Sequence, residues 1–260
     1  MDKRELPIGV MDSGLGGLSV LREALKLMPQ EEFIYYGDSA NAPYGTKSTG
    51  EIRQLTENCI QYFLEREVKE IIIACNTATS ASVSILREKY PELPIIGIEP
   101  ALKPAALGFP GGNILVTATE LTLREGKFRH QLHCYEGKAN IYVQPLGRIV
   151  EFVEGGRLES PELDAYLNEV LAPWTALGLD AVVLGCTHFP FAKRQIRRVV
   201  GERPVIFDGA EGTVREAARQ LERRGWLRGE ERTGKVTICH SGTDEQWLKQ
   251  AEELLYGNEA

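Results

Sequence analysis

Two cysteines of this chain stand in settings that invite chemistry. Cys75 is followed at once by Asn76 and Thr77, and Cys186 by Thr187 and His188. Small polar residues where a helix begins offer hydroxyls, amides and backbone N–H groups suited to a carboxylate, and the same helix end favours thiolate over thiol. A free thiol with a pKa of about 8.5 is only a few per cent ionised at neutral pH, and bringing that value to about 7 takes roughly 2 kcal/mol of differential stabilisation. His188 stands two residues from Cys186, and Asp12 ends an apolar run that can neighbour Cys75, so each thiol has a candidate proton partner. Singly, each feature has a plainer explanation, because cysteine is among the most buried residue types and a lone histidine is commonly structural.

The surrounding pattern supplies elements to position these groups. The apolar run from Ile8 to Asp12 stops at Ser13-Gly-Leu-Gly-Gly17, and apolar residues resume at Leu18, Leu21, Leu25 and Met28. Those offsets lie on one helical face, so the segment reads strand, glycine loop, helix. The unit recurs where residues 70–74 lead into Cys75, followed by a helix through Val83, Leu86 and Tyr90 that Pro91 ends. It recurs again where residues 180–185 lead into Cys186-Thr-His-Phe-Pro190 and a basic helical stretch. Further strand candidates are 33–36, 95–98, 113–116, 141–143, 205–207 and 235–238. Strands alternating with helices predict an α/β protein with doubly wound, largely parallel sheets and ligands at the C-terminal strand ends.

A strand ending at Asp12 precedes the one ending at Cys75 by 63 residues, and a strand ending near Thr119 precedes the one ending at Cys186 by 67. Two similar halves would then each present one cysteine at a strand end, toward a shared cleft. The expected domains are 1–97 plus 208–260, and 98–207, with crossings at Gly97-Ile-Glu-Pro100 and near 203–208. Two thiols on opposite sides of a stereogenic carbon suggest a specific reaction. One thiolate removes the α-proton, the opposite thiol returns a proton to the other face, and inversion follows without a covalent intermediate.

Composition narrows the alternatives. Among 260 residues, 30 Lys and Arg stand against 37 Asp and Glu, a net charge of −7, which argues against a nucleic-acid interface. With 43% hydrophobic and 26% charged residues, the chain has ordinary globular usage rather than that of a disordered segment. No run approaches the roughly 18 to 20 apolar residues of a membrane span, and the first residues lead into no secretory core, so a cytoplasmic location is expected. Five cysteines are an odd number and read as thiols rather than bridges. Cys59 shares a helical stripe with Ile52, Leu55 and Phe63, Cys239 sits in an apolar run, and Cys134 has no supporting pattern, so these three read as packing residues. Zinc is disfavoured by the lack of C-x-x-C or H-x-x-x-H spacing. The Ser13 to Gly17 loop lacks both the G-x-G-x-x-G spacing and a Gly-Lys-Ser/Thr ending, and a carboxylate suits it as well as a phosphate. The basic run 194–198 reads as a solvated helix face.

Four segments together, Asp12-Ser-Gly-Leu-Gly-Gly-Leu-Ser19, Tyr36-Gly-Asp-Ser-Ala-Asn-Ala-Pro-Tyr-Gly45, Cys75-Asn-Thr-Ala-Thr79 and Leu184-Gly-Cys-Thr-His-Phe-Pro190, resemble the cofactor-independent glutamate racemases of bacteria. The resemblance covers nearly the whole chain. It implies two pseudo-twofold-related α/β domains with the active site between them, no pyridoxal phosphate or metal, and interconversion of L- and D-glutamate for peptidoglycan precursors. By motif it implies Cys75 and Cys186 as the two acid/bases, assisted by Asp12 and His188. It further implies Ser13, Tyr44, Gly45, Asn76, Thr77 and Thr187 as substrate-holding residues, with Asp12 and His188 beside them and Thr119 and Thr122 as additions. Asp38 stays outside that set, since a carboxylate in a Gly-Asp-Ser turn can simply fix its loop.

This chain departs from the family at Leu121, where glycine is usual, and at Asn41, where arginine is common. The family's Val-Glu pair fits Val150-Glu151 or Val153-Glu154, and the following glycine and the interval to Cys186 favour Glu154 as the acidic partner of His188. Aspartate racemases share the fold and the paired cysteines and give an alternative reading, as does a carboxylate-binding protein that has lost its chemistry. The sequence is silent on oligomeric state, for which a homodimer is one option.

Overall fold

The computed structural model describes residues 2–229, 231 and 233–257, in two compact units. The first comprises residues up to Ile98 and from Ala210 on; the second runs Glu99–Gly209. In chain order the first contains β1 (Ile8–Asp12), α1 (Leu18–Leu27), β2 (Phe33–Gly37), α2 (Thr49–Leu64), β3 (Glu70–Ile73), α3 (Asn76–Lys89) and β4 (Ile95–Gly97). The second contains α4 (Leu102–Gly108), β5 (Asn113–Ala118), α5 (Glu120–Arg124), α6 (Gly126–Tyr135), β6 (Asn140–Pro145), α7 (Arg148–Glu154), α8 (Pro161–Thr175), β7 (Ala181–Leu184), α9 (Lys193–Val200) and β8 (Val205–Asp208). The chain then completes the first unit with α10 (Ala210–Arg224), β9 (Val236–His240) and α11 (Glu245–Tyr256).

Both sheets are parallel, ordered β4-β3-β1-β2-β9 and β6-β5-β7-β8. Read in the opposite sense, the second order matches the first four strands of the first, with β5 in the place of β1 and β7 in the place of β3. Parallel sheets need helices on both faces, so their central strands run apolar without alternation. Every residue of β1, β3 and β7 is buried. In the first unit α1 packs on α10 and α11, and α2 packs on α3. In the second, α4 and α6 contribute Leu102, Ala105, Ala106 and Phe128 to a core with Ile114, Val116, Ala181 and Val183.

Local signals set the ends of these elements. Ser48 and Glu51 form a reciprocal capping box at the start of α2, and Ser160 caps α8 ahead of Pro161 in the first turn. Register refines the internal repeat. Ala74 N–H donates to Met11 O in the first sheet, and Gly185 N–H donates to Thr117 O in the second. The counterpart of Asp12 is therefore Ala118, one residue short of the strand end expected near Thr119, and Thr119 instead corresponds to Ser13.

Two cysteine expectations need correction. Cys134 is exposed on α6, which turns Phe128, Leu132 and Tyr135 toward the core and Cys134 away from it, with His130 Nε2 3.8 Å from the sulfur. Cys239 is only partly buried because β9 is an edge strand, whereas Cys59 is buried. Among the described residues, no helix is long and apolar enough to cross a membrane.

Candidate active site

In the first unit, Asp12 closes β1 with its side chain wholly buried, and its Oδ1 accepts the Gly14 N–H at 2.9 Å. That two-residue return is the turn aspartate forms on its own backbone, and it folds the glycine loop back over the strand end. Tyr35 Oη donates to Gly14 O at 2.6 Å and holds the loop from the neighbouring strand. A Cβ at Gly17 would lie 2.5 Å from Asp12 Cβ and 3.0 Å from Ala74 Cβ, so the start of α1 approaches the strand ends only because this residue is glycine.

Cys75 occupies the N-cap of α3. Its Sγ accepts the Ala78 N–H at 3.4 Å, where a capping oxygen would normally sit, and lies 3.7 Å from Ser13 Oγ. Sulfur in this place faces the N–H groups that a helix start leaves unpaired, an arrangement that welcomes negative charge. Asn76 and Thr77 follow in the buried first turn, and Asn76 Oδ1 is buried without a hydrogen-bond partner.

Tyr44 and Gly45 lie in a short turn after β2. The buried Tyr44 hydroxyl donates to Asp38 Oδ2 at 2.6 Å, and Asn41 Nδ2 donates to Asp38 Oδ1 at 3.0 Å. Asp38 thus fastens its own loop, and Asn41, at the position where arginine is common, is one of its two fasteners. Burial pushes the Tyr44 phenol far above the usual tyrosine range, helped by Cys59 and Asp38, so its proton stays in that bond.

The second unit builds its cysteine differently. No α-helix starts at Cys186: the chain turns through Thr187 and His188, makes a 3₁₀ segment at Phe189–Ala192, and only then enters α9 at Lys193. Pro190 falls in that segment, so the helix start expected at the cysteine is displaced. His188 takes up the task. Its Nδ1 is 3.7 Å from Cys186 Sγ, and its Nε2 is 2.6 Å from Oε1 of Glu154, the last residue of α7. His188 is 2% exposed. Burial works against its charged form, but Cys186 and Glu154 outweigh burial and raise its pKa well above 6.5. Glu151, one turn earlier on α7, is exposed.

Thr119 caps α5, its Oγ1 accepting the Thr122 N–H at 3.3 Å and standing 3.0 Å from Thr122 Oγ1. Both threonines are buried, as is Thr187. The predicted residues therefore gather in two groups, one per unit: Asp12, Ser13, Tyr44, Gly45, Asn76 and Thr77 about Cys75, and Thr119, Thr122, Glu154, Thr187 and His188 in the unit of Cys186. Each combines a sulfur, a carboxylate or imidazole group and hydroxyl or amide groups, which is equipment that could move a proton next to a carboxylate. Among the described residues, no three His, Cys, Asp or Glu side chains stand together so as to hold a metal ion. The sequence reading missed Tyr35, because an aromatic in an apolar run reads as core.

A racemase fold with one cysteine just beyond a central strand of each unit is the class this architecture defines: the sequence matches the Asp/Glu/Hydantoin racemase family over residues 8–217, and the chain belongs to that family. Within it, the chain is 45% identical to a glutamate racemase of Clostridium botulinum over 98% of this chain and 99% of that one. A glutamate racemase isoform from Bacillus anthracis superposes with a TM-score of 0.87 at 28% identity, covering 97% of this chain and 94% of the other. The Francisella tularensis glutamate racemase, solved in complex with D-glutamate, gives a TM-score of 0.84 at 26% identity, covering 98% and 96%.

Proposed function

We propose that the chain is a glutamate racemase that interconverts L- and D-glutamate by a two-base mechanism needing no cofactor. The observation that carries this reading is the placement of Cys75 and Cys186 just beyond equivalent strands of two sheets of matching order, with His188 beside Cys186 and Asp12 at the end of the strand next to that of Cys75. For one enantiomer, one cysteine as thiolate takes the α-proton and becomes a thiol. The other, as thiol, gives its proton to the opposite face of the carbanion and becomes a thiolate. The two sulfurs have then exchanged protonation states, which suits the enzyme to the product enantiomer. Asp12 and His188 are the groups placed to reset them.

The substrate carries two carboxylates, while the chain is net acidic. Neutral donors must therefore do the binding, namely the hydroxyls of Ser13, Thr77, Thr119, Thr122 and Thr187 and the N–H groups at the start of α3. The orphaned Asn76 Oδ1 is an acceptor that a substrate ammonium would satisfy. The reading requires the α-carbon to be reached by the two thiols from opposite faces. It places the reaction in the cytoplasm, supplying D-glutamate for peptidoglycan precursors.

Glutamate and aspartate differ by one methylene, worth about 1 to 3 kcal/mol in a fitted pocket, or about 10- to 200-fold. L-Glutamate should therefore be racemised at least about tenfold more efficiently than L-aspartate with no cofactor added, as measured by optical rotation. Equal or reversed preference would overturn the assignment to glutamate.

A further inference from the structure

At the C-terminal end of the first sheet, β2 and β9 lie side by side with Gly37 opposite His240. The segments that follow are tied together: Ser241 N–H donates to Gly37 O at 3.0 Å, Ala40 N–H donates to Ser241 Oγ at 3.0 Å, and Gly242 N–H donates to Ser39 Oγ at 3.2 Å. Ser39 Oγ also lies 2.8 Å from His240 Nδ1. The His240 ring stacks on Trp247 of α11, with centroids 4.6 Å apart and planes 9° from parallel. Trp247 in turn presses on β2, since a Cβ at Gly37 would fall 2.6 Å from its ring. Immediately after Gly37 come Asp38, which fastens Tyr44, and Ser39, which His240 holds.

Ser39 Oγ accepts from Gly242 and keeps its own proton to give, and a neutral imidazole with its proton on Nε2 accepts it at Nδ1, whereas the other tautomer donates from Nδ1 into the hydroxyl's second lone pair. Burial lowers the His240 pKa and favours that neutral form, opposed by Asp244. A ring kept only for packing would need its face on Trp247 and no polar partner. This one also spends a nitrogen on the loop.

We propose that His240 is a positioning residue for substrate binding: clamped by Trp247, it holds Ser39 and thereby fixes the loop from Asp38 to Gly45 that presents Tyr44. The family match ends at residue 217, so β9, His240 and α11 lie beyond it. The inference rests on Tyr44 and Gly45 holding the substrate, as read above.

The test is steady-state kinetics with L-glutamate on five variants, with thermal melting of each. His240→Phe keeps a ring on Trp247 and removes the bond to Ser39. It should raise KM about fivefold, the scale of one hydrogen bond, with kcat changed less than about twofold and the melting midpoint retained. Ser39→Ala should match it, the double variant should be no worse than either single one, and His240→Asn, which keeps a short polar side chain toward Ser39, should restore part of KM. A folded His240→Phe with unchanged KM overturns the inference, as does additivity of the two single variants. Tyr44→Phe separates the two levels. If it raises KM while His240→Phe does not, only the positioning role fails; if it too leaves KM unchanged, the reading of the loop as substrate-holding fails with it.

Discussion

His188 Nε2 and Glu154 Oε1 are 2.6 Å apart, on the side of the imidazole away from Cys186. The carboxylate fixes the ring's orientation and favours its charged form, so that an imidazolium 3.7 Å from the sulfur can lend a proton or balance a negative charge. In the proposed mechanism Glu154 acts through His188.

Glu154→Gln should therefore lower the His188 pKa. Burial, the largest influence on His188, already opposes the charge, and the substitution removes one of the two groups that overcome it. The raised pKa also makes the imidazolium's contribution to stability fully present below about pH 6.5 and lost as pH rises through the folded value. In the variant, the alkaline limb of kcat/KM should move down by about one pH unit or more, with the fold retained by circular dichroism. An unmoved limb would remove His188 from the proton path.

Gly17→Ala tests whether close packing of the glycine loop sets the position of Asp12. The new methyl would meet Asp12 Cβ and Ala74 Cβ, atoms rigidly tied to backbone. A loss of about 1 to 3 kcal/mol in urea denaturation is expected. Turnover measured on folded protein should fall as well, because Asp12 must shift. Wild-type turnover would show that the Asp12 position is not critical.

At the opposite end of the first sheet, Lys69 and Glu31 are fully buried partners at 2.5 Å, with Arg228 N–H donating to the other Glu31 oxygen at 2.8 Å. Beside them the buried Glu70 carboxyl has no hydrogen-bond partner, and burial raises its pKa from 4.5 to about 9. The folded state keeps a proton that the unfolded chain releases, so stability falls as pH rises from about 4.5 toward 9. Glu70→Gln should flatten that slope, leaving the protein more stable than wild type at about pH 8 and little changed at about pH 4.5, as read by urea midpoints. Parallel stability profiles would contradict it. Turnover should be unaffected, since the far end of β3, not this one, leads into Cys75.

Much of this architecture is legible in the sequence. Each strand candidate falls on one of the strands, because buried parallel strands are short apolar runs between turn signals, and that pattern needs no knowledge of partners. The helix start at Cys75 is readable for the same local reason. Register is not: only the bond from Gly185 N–H to Thr117 O shows that Asp12 has Ala118 as its counterpart, so the second unit has no carboxylate at that place. The delay of α9 behind Cys186 turns on a proline in a 3₁₀ segment, a choice that composition does not decide. Ser39 and His240 are 201 residues apart and meet only because β9 joins the sheet beside β2. Cys134 is exposed because it lies off the stripe of Phe128, Leu132 and Tyr135 that packs on the core, a spacing visible in the sequence.

The most direct test of the central claim is isotope incorporation in deuterated water, followed by NMR at the α-carbon from each enantiomer separately, with the wild-type chain, Cys75→Ala and Cys186→Ala. Two thiols acting in turn predict that wild type places solvent deuterium at Cα of the product from either enantiomer without added cofactor. Both variants should lose racemisation, since neither sulfur alone can serve both faces. Full racemisation by either cysteine variant, or inversion by the wild type without deuterium at Cα, would contradict it.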